Sequence, residues 1–326
     1  RADFTGATFG YYANFSGATF GNATNFVGAT IGDATNFSDT TFGSNTRFLG
    51  AKFGPETNFT AATFRDSVHF SGAKFEKFAN FRSAIIGNSA FFGNTKFGDF
   101  AYFGSAQFGN LVQFYSVTLG EGASFDGADL GDDASFIHTI FEGDVSFRAK
   151  SQPNKLSDRA QLRRSLNTPA KDQNSVISEN PTDCANFSSI NFSFSQFLGT
   201  ASFADRDFCE IADFSNALFV QPPDFRGTEH RENLDWTAVR FDLTGHLEIG
   251  KRRIPVRGWT TSTATGTALR RLRGIAKEIH AIDAERDLFI LERQAERGVL
   301  WRNWWRGDWG GWRHWIFGWW RPLIAT

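Results

Sequence analysis

Residues that could perform chemistry are few and scattered along the chain of 326 residues. No two histidines stand at a spacing typical of metal ligands, whether His69, His138, His230, His246, His280 or His314. Cys184 and Cys209 lie outside any C-x-x-C pair, so we expect two free thiols in a reducing compartment. No glycine cluster carries the lysine and hydroxyl residue of a phosphate-binding loop. The sequence therefore predicts no catalytic residues, no metal site and no cofactor.

The overall composition is unusual for a globular protein. The chain holds 38 Phe and 32 Gly but no Met, and its 34 basic and 35 acidic residues leave a net charge of −1. A balanced charge argues against a protein that binds polyanions over its whole surface. No apolar run is long enough for a complete transmembrane helix. Arg1 stands where an initiator methionine is expected, so we interpret the chain as processed or as an excerpt.

The elements that must position any functional residue are set by a repeat, which we call the ladder. From Phe4 to Phe147 a Phe, Ile or Leu recurs at alternating steps of five and six residues, and a small or β-branched residue stands two positions before each one. The ladder includes Phe15, Phe20, Phe26, Phe37, Phe48, Phe59, Phe70, Phe81, Phe92, Phe103, Phe114, Phe125, Phe136 and Phe147, and it resumes with Phe187, Phe203, Phe214 and Phe225.

A period of 11 residues is also compatible with a right-handed helical coiled coil. The composition excludes that alternative, because Gly and Thr fill the intervening positions and each Gly costs a helix roughly 1 kcal/mol relative to Ala. Short extended segments joined by tight turns suit these residues better. Side chains two apart in an extended segment share a face, so the large residue and the small residue before it are expected to point inward together.

The blocks Ala13–Gly17 (Ala-Asn-Phe-Ser-Gly) and Ala18–Asn22 (Ala-Thr-Phe-Gly-Asn) resemble the repeats of the pentapeptide-repeat family. The resemblance implies an all-β solenoid, a right-handed quadrilateral β-helix with those small and large residues inside. The sixth residue in alternate repeats departs from the family pattern, so we expect one extra residue at alternate corners and about 22 residues per coil. Coils are expected to stack at about 4.8 Å, the ordinary spacing of strands.

The ladder divides the chain into segments. We expect a solenoid over residues 1–147, a polar insertion over 148–183 and a second solenoid segment over 184–250. A weaker ladder continues through His230, Trp236, Phe241 and Leu247. Arg206 and Pro223 replace the small residue, so the last coils are expected to be distorted.

The insertion contains a stretch, residues 156–166, that could form a short helix with Ser157 as its N-cap. Two interpretations remain open. It is either a surface excursion that the solenoid tolerates or a loop that binds a partner.

Helical spacing begins after a linker at residues 251–267. Over 268–298 we predict two helices, near 267–281 and 283–298, with Asp283 as the N-cap of the second and Gly298 as its end. Their expected task is to cover the open edge of the last coil. A dimerising pair of helices is the alternative.

The tail, residues 299–326, combines tryptophan with arginine. Such a mixture is typical of a membrane–water interface, and the candidates are Trp304, Trp305, Trp309, Trp312, Trp315, Trp319, Trp320 and Arg321. A packing patch and a base-stacking surface are the alternatives; the modest positive charge of the segment makes nucleic acid the weakest. Residues 319–324 are similar to the entry into the membrane helices of bacterial pentapeptide-repeat proteins, which implies an anchor beyond Thr326.

These patterns favour a non-enzymatic scaffold that binds an unidentified protein partner at the cytoplasmic face of a bacterial inner membrane. The alternative is a DNA-mimicking partner of type II topoisomerases such as gyrase, as in related pentapeptide-repeat proteins. Residues 1–147 hold 14 acidic and 8 basic side chains, a net charge of −6 spread over a long surface, which is weak for imitating DNA.

Overall fold

The structure, a computed structural model, describes residues 1–149, 189–229, 231–242, 246–249, 252–255 and 263–296. Several sequence predictions fall outside these residues: the short helix with Ser157, the ladder positions Phe187 and His230, the helix end at Gly298 and the whole Trp/Arg tail.

The solenoid part of the chain forms parallel coils of 22 residues, which confirms the predicted fold class. Thr8 pairs with Thr30, 22 positions later, and the same offset links Thr19 to Thr41 and Asn14 to Asn36. Each coil has four faces, which we number 1 to 4 by the ladder residues Phe4, Phe9, Phe15 and Phe20 of the first coil.

Strands of two residues mark each face, and isolated bridges extend the same columns. Face 2 is a ten-stranded sheet made of Thr8–Phe9, Thr30–Ile31, Lys52–Phe53, Lys74–Phe75, Lys96–Phe97, Thr118–Leu119, Ile140–Phe141, Gln196–Phe197, Leu218–Phe219 and Arg240–Phe241. Face 4 contains Thr19–Phe20, Thr41–Phe42, Thr63–Phe64, Ile85–Ile86 and Gln107–Phe108. Face 3 contains Ala123–Ser124, Val145–Ser146 and Ala201–Ser202, and face 1 contains Ala134–Ser135, Ile190–Asn191, Ala212–Asp213 and Leu234–Asp235.

The interior is a set of stacked phenylalanine columns. Phe37, Phe59, Phe81 and Phe103 lie on consecutive coils of face 3 with ring centroids 4.8 to 5.1 Å apart and nearly parallel planes. Rings on adjacent faces meet edge to face, as Phe75 meets Phe81 at 5.5 Å. Both geometries are favourable for aromatic pairs, so the repeat places each ring where it contacts rings above, below and beside it.

From Thr24 onward, the residue two positions before each described ring is buried as well. Where it is threonine, the hydroxyl needs a hydrogen-bond partner. Thr24, Thr35 and Thr46 donate to carbonyls three residues earlier, those of Gly21, Gly32 and Gly43, at 2.6 to 2.7 Å. Threonine therefore replaces alanine inside the solenoid without leaving a buried polar atom unpaired.

The corners explain the alternation of five and six residues. After faces 1 and 3 the positive φ falls two residues past the ladder, as at Gly28 (64°) and Asp39 (56°). After faces 2 and 4 it falls three residues past the ladder, as at Ala34 (52°) and Asn45 (59°). The extra residue predicted for alternate corners thus lies after faces 2 and 4.

Coil stacking continues in register across the undescribed residues 150–188. Ile140–Phe141 pairs with Gln196–Phe197, and Val145–Ser146 pairs with Ala201–Ser202. The rings of Phe147 and Phe203 stack at 5.3 Å. The two solenoid segments predicted from the sequence therefore form one continuous stack.

The last coils, which are expected to be distorted, remain in register at Arg206 and Pro223. Phe203 and Phe225, which bracket these positions, stack at 5.0 Å, and Ser202 still pairs with Asp224. Arg206 is accommodated because it is 2 % exposed and its guanidinium donates to the backbone carbonyls of Phe125, Ala128 and Phe147.

The end of the second solenoid segment also differs from the prediction. Leu247 belongs not to a ladder coil but to the strand His246–Ile249, which pairs antiparallel with Arg252–Pro255. Two helices follow, α1 (Thr263–Glu278) and α2 (Ile282–Glu296). The linker predicted over 251–267 therefore includes one strand and the start of a helix. The apolar spacing begins only at Leu269, so it could not reveal the first turn of α1.

The helix pair packs on the last coil. Leu269, Leu272 and Leu288 are buried in the same apolar cluster as the ladder, and Arg231 of the 3-10 turn Arg231–Asn233 lies 3.6 Å from Glu278 of α1. Between the helices, Glu292 is buried and contacts Arg270 at 2.9 Å and Arg273 at 2.7 Å. Asp283 is not the N-cap, because Glu285 N–H already bonds the carbonyl of Ala281.

The free-thiol expectation is wrong for Cys209, which is disulfide-bonded. The absence of a C-x-x-C pair excludes one kind of cysteine site, but it does not exclude a disulfide with a cysteine distant in the chain. Cys184 itself lies outside the described residues.

Candidate interaction surfaces

The solenoid offers its surroundings four flat faces whose outward side chains form columns. The residue before each ladder ring points outward, and its counterparts on neighbouring coils lie directly above and below it. Since the ladder fills the interior, any partner must bind these columns, the corners or the ends of the stack.

Face 3 carries an asparagine column whose amides serve the fold. Each side-chain oxygen accepts the N–H two residues on, so that Asn14 accepts from Ser16, Asn36 from Ser38 and Asn58 from Thr60. Further along the column, the Arg82 guanidinium lies 3.9 Å from the ring centroid of Tyr102. These polar groups are committed to neighbours within the solenoid.

Face 2 carries a lysine column. Lys52, Lys74 and Lys96 stand in direct register, and like charges in register are unfavourable. Lys74 contacts Glu76 at 2.6 Å. At the adjoining corner Lys77 contacts Asp99 at 2.8 Å; the hydrogen bond from Lys77 lowers the pKa of Asp99, and the same contact raises the pKa of Lys77. Acidic neighbours thus offset the positive column.

Aromatic side chains lie along face 1 and the corner that follows it, and we call them the aromatic patch: His69 and Phe91 on the face, and Tyr115, His138 and Phe194 at the corner. His69 stacks on Phe91 at 4.6 Å, Tyr115 meets His138 at 5.7 Å, and His138 meets Phe194 at 5.1 Å. Tyr115 and Phe194 are 47 % and 49 % exposed. Partial burial lowers the pKa of His69, and nearby Arg47 lowers it further. The His69 end of the patch therefore favours a neutral imidazole, in register with the cationic Arg47.

A second aromatic pair lies at the corner between faces 2 and 3. Phe78 and Phe100 stack at 5.3 Å, are 40 % and 37 % exposed, and adopt positive φ of 64° and 61°. Such φ values are strained for bulky residues. Neither surface group was predicted from the sequence, although Phe78, Phe91, Phe100 and Phe194 visibly stand outside the ladder register.

The residues singled out from the sequence fall into two groups. Ladder phenylalanines from Phe26 to Phe225 are buried wherever they are described, and Phe15 and Phe20 are half-buried, so these rings build the interior of the fold. The membrane-interface candidates lie outside the described residues. Within the described ranges, no cluster of His, Cys, Asp and Glu could hold a metal ion. No helix in the same ranges is long and apolar enough to cross a membrane.

Comparison with known proteins agrees with this geometry. A family model described as pentapeptide repeats (9 copies) matches residues 15–63 and 103–149, which lie on the stacked coils. No curated protein and no solved structure matches the chain.

Proposed function

Since the chain belongs to the pentapeptide-repeat family, we propose that it is a non-enzymatic scaffold whose face 1 binds a protein partner at a membrane surface. The observation that carries the proposal is the aromatic patch. Its exposed part is the run of contacting rings Tyr115, His138 and Phe194. Clustered exposed apolar surface is uncommon on proteins that have no partner, and aromatic residues are enriched in binding hot spots. The stacked coils hold the patch rigid, which reduces the entropy lost on binding.

The topoisomerase alternative gains less support from the described residues. A DNA mimic needs an uninterrupted anionic surface, whereas Lys52, Lys74 and Lys96 form a column of cations on face 2. The described solenoid therefore presents cations beside its carboxylates. The scaffold function is therefore preferred.

The binding face can be tested by site-specific photocrosslinking in cells. A photoreactive phenylalanine analogue at Tyr115 is expected to crosslink one protein partner, and Phe194→Ser should weaken that crosslink by about tenfold, as for a hot-spot residue. The matched control is the same analogue at Tyr102, a surface tyrosine on face 3. Equal crosslinking from Tyr102, or none from Tyr115, would show that face 1 does not bind the partner.

Membrane tethering is the second part of the proposal, and it rests on the sequence of the Trp/Arg tail. Flotation of the chain with vesicles that contain anionic lipid is expected to carry the protein upward. Replacing Trp304, Trp305, Trp319 and Trp320 by serine should abolish flotation, because interfacial affinity scales with the apolar area inserted. Phe78→Ser with Phe100→Ser is the control for exposed aromatics on the solenoid. If the tail variant floats like the parent chain, the tail is not the tether.

The disulfide-bonded Cys209 bears on the side of the membrane. Structural disulfides persist in oxidising compartments and are rare in the cytosol. Cys209 therefore favours an oxidising side over the cytoplasmic side that was expected from the sequence.

A further inference from the structure

A cleft opens where the last coil meets α1, away from the aromatic patch. Its volume is about 1000 Å³, and one wall is the loop from Pro222 to Gly227 on face 3. The opposite wall is one stripe of α1, from Thr267 to Glu278, which spans about 16 Å of helix. The size lies at the upper end of the range for small-molecule sites.

The apolar part of the lining comes from both walls. Pro222, Pro223 and Phe225 contribute from the coil, and Leu272 and Ile275 contribute from the helix. Pro222 is half-buried and the other four side chains show only their edges, so the cleft offers a narrow apolar strip, which suits a thin linear apolar body.

Three guanidiniums line the same cleft, and two of them are paired. Arg226 makes a two-point contact with Asp224, with Nε–Oδ1 at 2.8 Å and Nη2–Oδ2 at 2.7 Å. Arg231 lies 3.6 Å from Glu278. Within the described part of the chain, Arg271 has no carboxylate partner. The cleft therefore has one cation available to an anionic group.

A glycine keeps the helix wall open. Gly274 lines the cleft in the middle of α1, and a Cβ built on it meets nothing within 4 Å. Glycine lowers the stability of a helix interior relative to alanine, and no neighbouring atom requires it here. An occupant that approaches the helix backbone would explain why a side chain is missing at this position.

From these features we infer that the cleft binds a linear apolar molecule with a single carboxylate, with the carboxylate at Arg271 and the chain along Pro222, Leu272 and Ile275. A peptide fits the lining less well. Its backbone N–H and C=O groups need partners, whereas the acidic groups that line the cleft are already paired to arginines. A hydrocarbon chain has no N–H or C=O groups that need hydrogen-bond partners.

Titration of the full chain with dodecanoate, below its micelle concentration, tests the inference. We expect saturable binding, about tenfold tighter than binding of dodecanol, because only the carboxylate can form the charge-assisted contact. Arg271→Gln should remove that difference. Lys277→Gln, an exposed residue of the same helix outside the lining, should leave it unchanged.

Gly274→Leu is the steric test. It should fill the cleft and weaken dodecanoate by about tenfold or more, while Tm stays equal or rises, because leucine favours a helix. Gly266→Leu is the matched control, since its Cβ also meets nothing within 4 Å but the residue does not line the cleft. Equal effects of the two leucine variants, no preference for dodecanoate over dodecanol, or tighter binding of an acetylated and amidated leucine–glutamate peptide would each overturn the inference.

Discussion

Replacing Arg206 by methionine is expected to lower the free energy of unfolding by about 3 kcal/mol, although alanine is the usual residue at this ladder position. The guanidinium is buried and donates to the carbonyls of Ala128 at 3.0 Å, Phe125 at 3.1 Å and Phe147. Each hydrogen bond from a charged donor contributes about 1.5–3 kcal/mol. Methionine keeps the apolar stem and removes all three donors.

The charge of Arg206 opposes part of this stabilisation. Burial lowers the pKa of Arg206 to about 10, while Asp129 and Asp126 act in the opposite direction. A base whose pKa is lower in the folded state binds its proton more tightly when unfolded, so the stability that this group contributes rises as the pH increases above about 10. At pH 7 the penalty, about 3 kcal/mol for such a shift, is smaller than the sum of the three hydrogen bonds.

The position of Arg206 gives its loss a specific signature. Arg206 follows the undescribed residues 150–188 in sequence, whereas all three of its acceptors precede them. Hydrogen exchange in Arg206→Met should therefore increase most in the coils that hold Phe125, Phe147 and Phe203. Arg226→Met is the matched control, because that side chain is 64 % exposed and its ion pair is worth less than about 1 kcal/mol. Equal stability of the two variants would show that Arg206 does not stabilise the stacking of the coils that precede residues 150–188 on those that follow.

Phe81→Ala is expected to cost about 3–5 kcal/mol, the range for truncating a buried phenylalanine. The ring is 0 % exposed and stacks between Phe59 at 4.8 Å and Phe103 at 5.1 Å. Because each coil contacts only the coils above and below it, the damage should remain local. Hydrogen exchange should increase in residues 48–108 and stay near the parent value beyond residue 189.

Phe78→Ala controls for the loss of an aromatic ring. Phe78 lies three residues from Phe81 but is 40 % exposed at a corner, where its backbone φ is 64°. Its substitution should change stability by less than about 1 kcal/mol. A uniform increase in exchange along the whole solenoid of Phe81→Ala would contradict the nearest-neighbour stack.

The period of the ladder was sufficient to predict the coil. Steps of five and six between Phe15, Phe20 and Phe26 require corners of two lengths. The corners at Asp39 and Asn45 differ by one residue, as required. Repetition makes such a prediction secure, because equivalent residues make the same packing contacts in every coil. The first turn of α1 and the hairpin at His246–Ile249 have no repeat and were missed.

The surface groups could not be predicted in the same way. Tyr115, His138 and Phe194 are far apart in sequence, and only the stacking of the coils brings their rings into contact. The role of Arg206 could not be predicted either. In the sequence it only departs from the pattern of small residues, and the structure shows that three backbone carbonyls accept hydrogen bonds from its buried guanidinium.

The sequence by itself determined the coil length, the inward columns and the absence of recognisable catalytic motifs, because these depend on spacing along one strand and its neighbours. Only the tertiary structure decided which outward residues share a face, that Arg271 and Gly274 face the loop at Pro222 across a cleft, and how the last coil is covered. Those arrangements depend on contacts between residues distant in the chain, and local spacing does not specify such contacts.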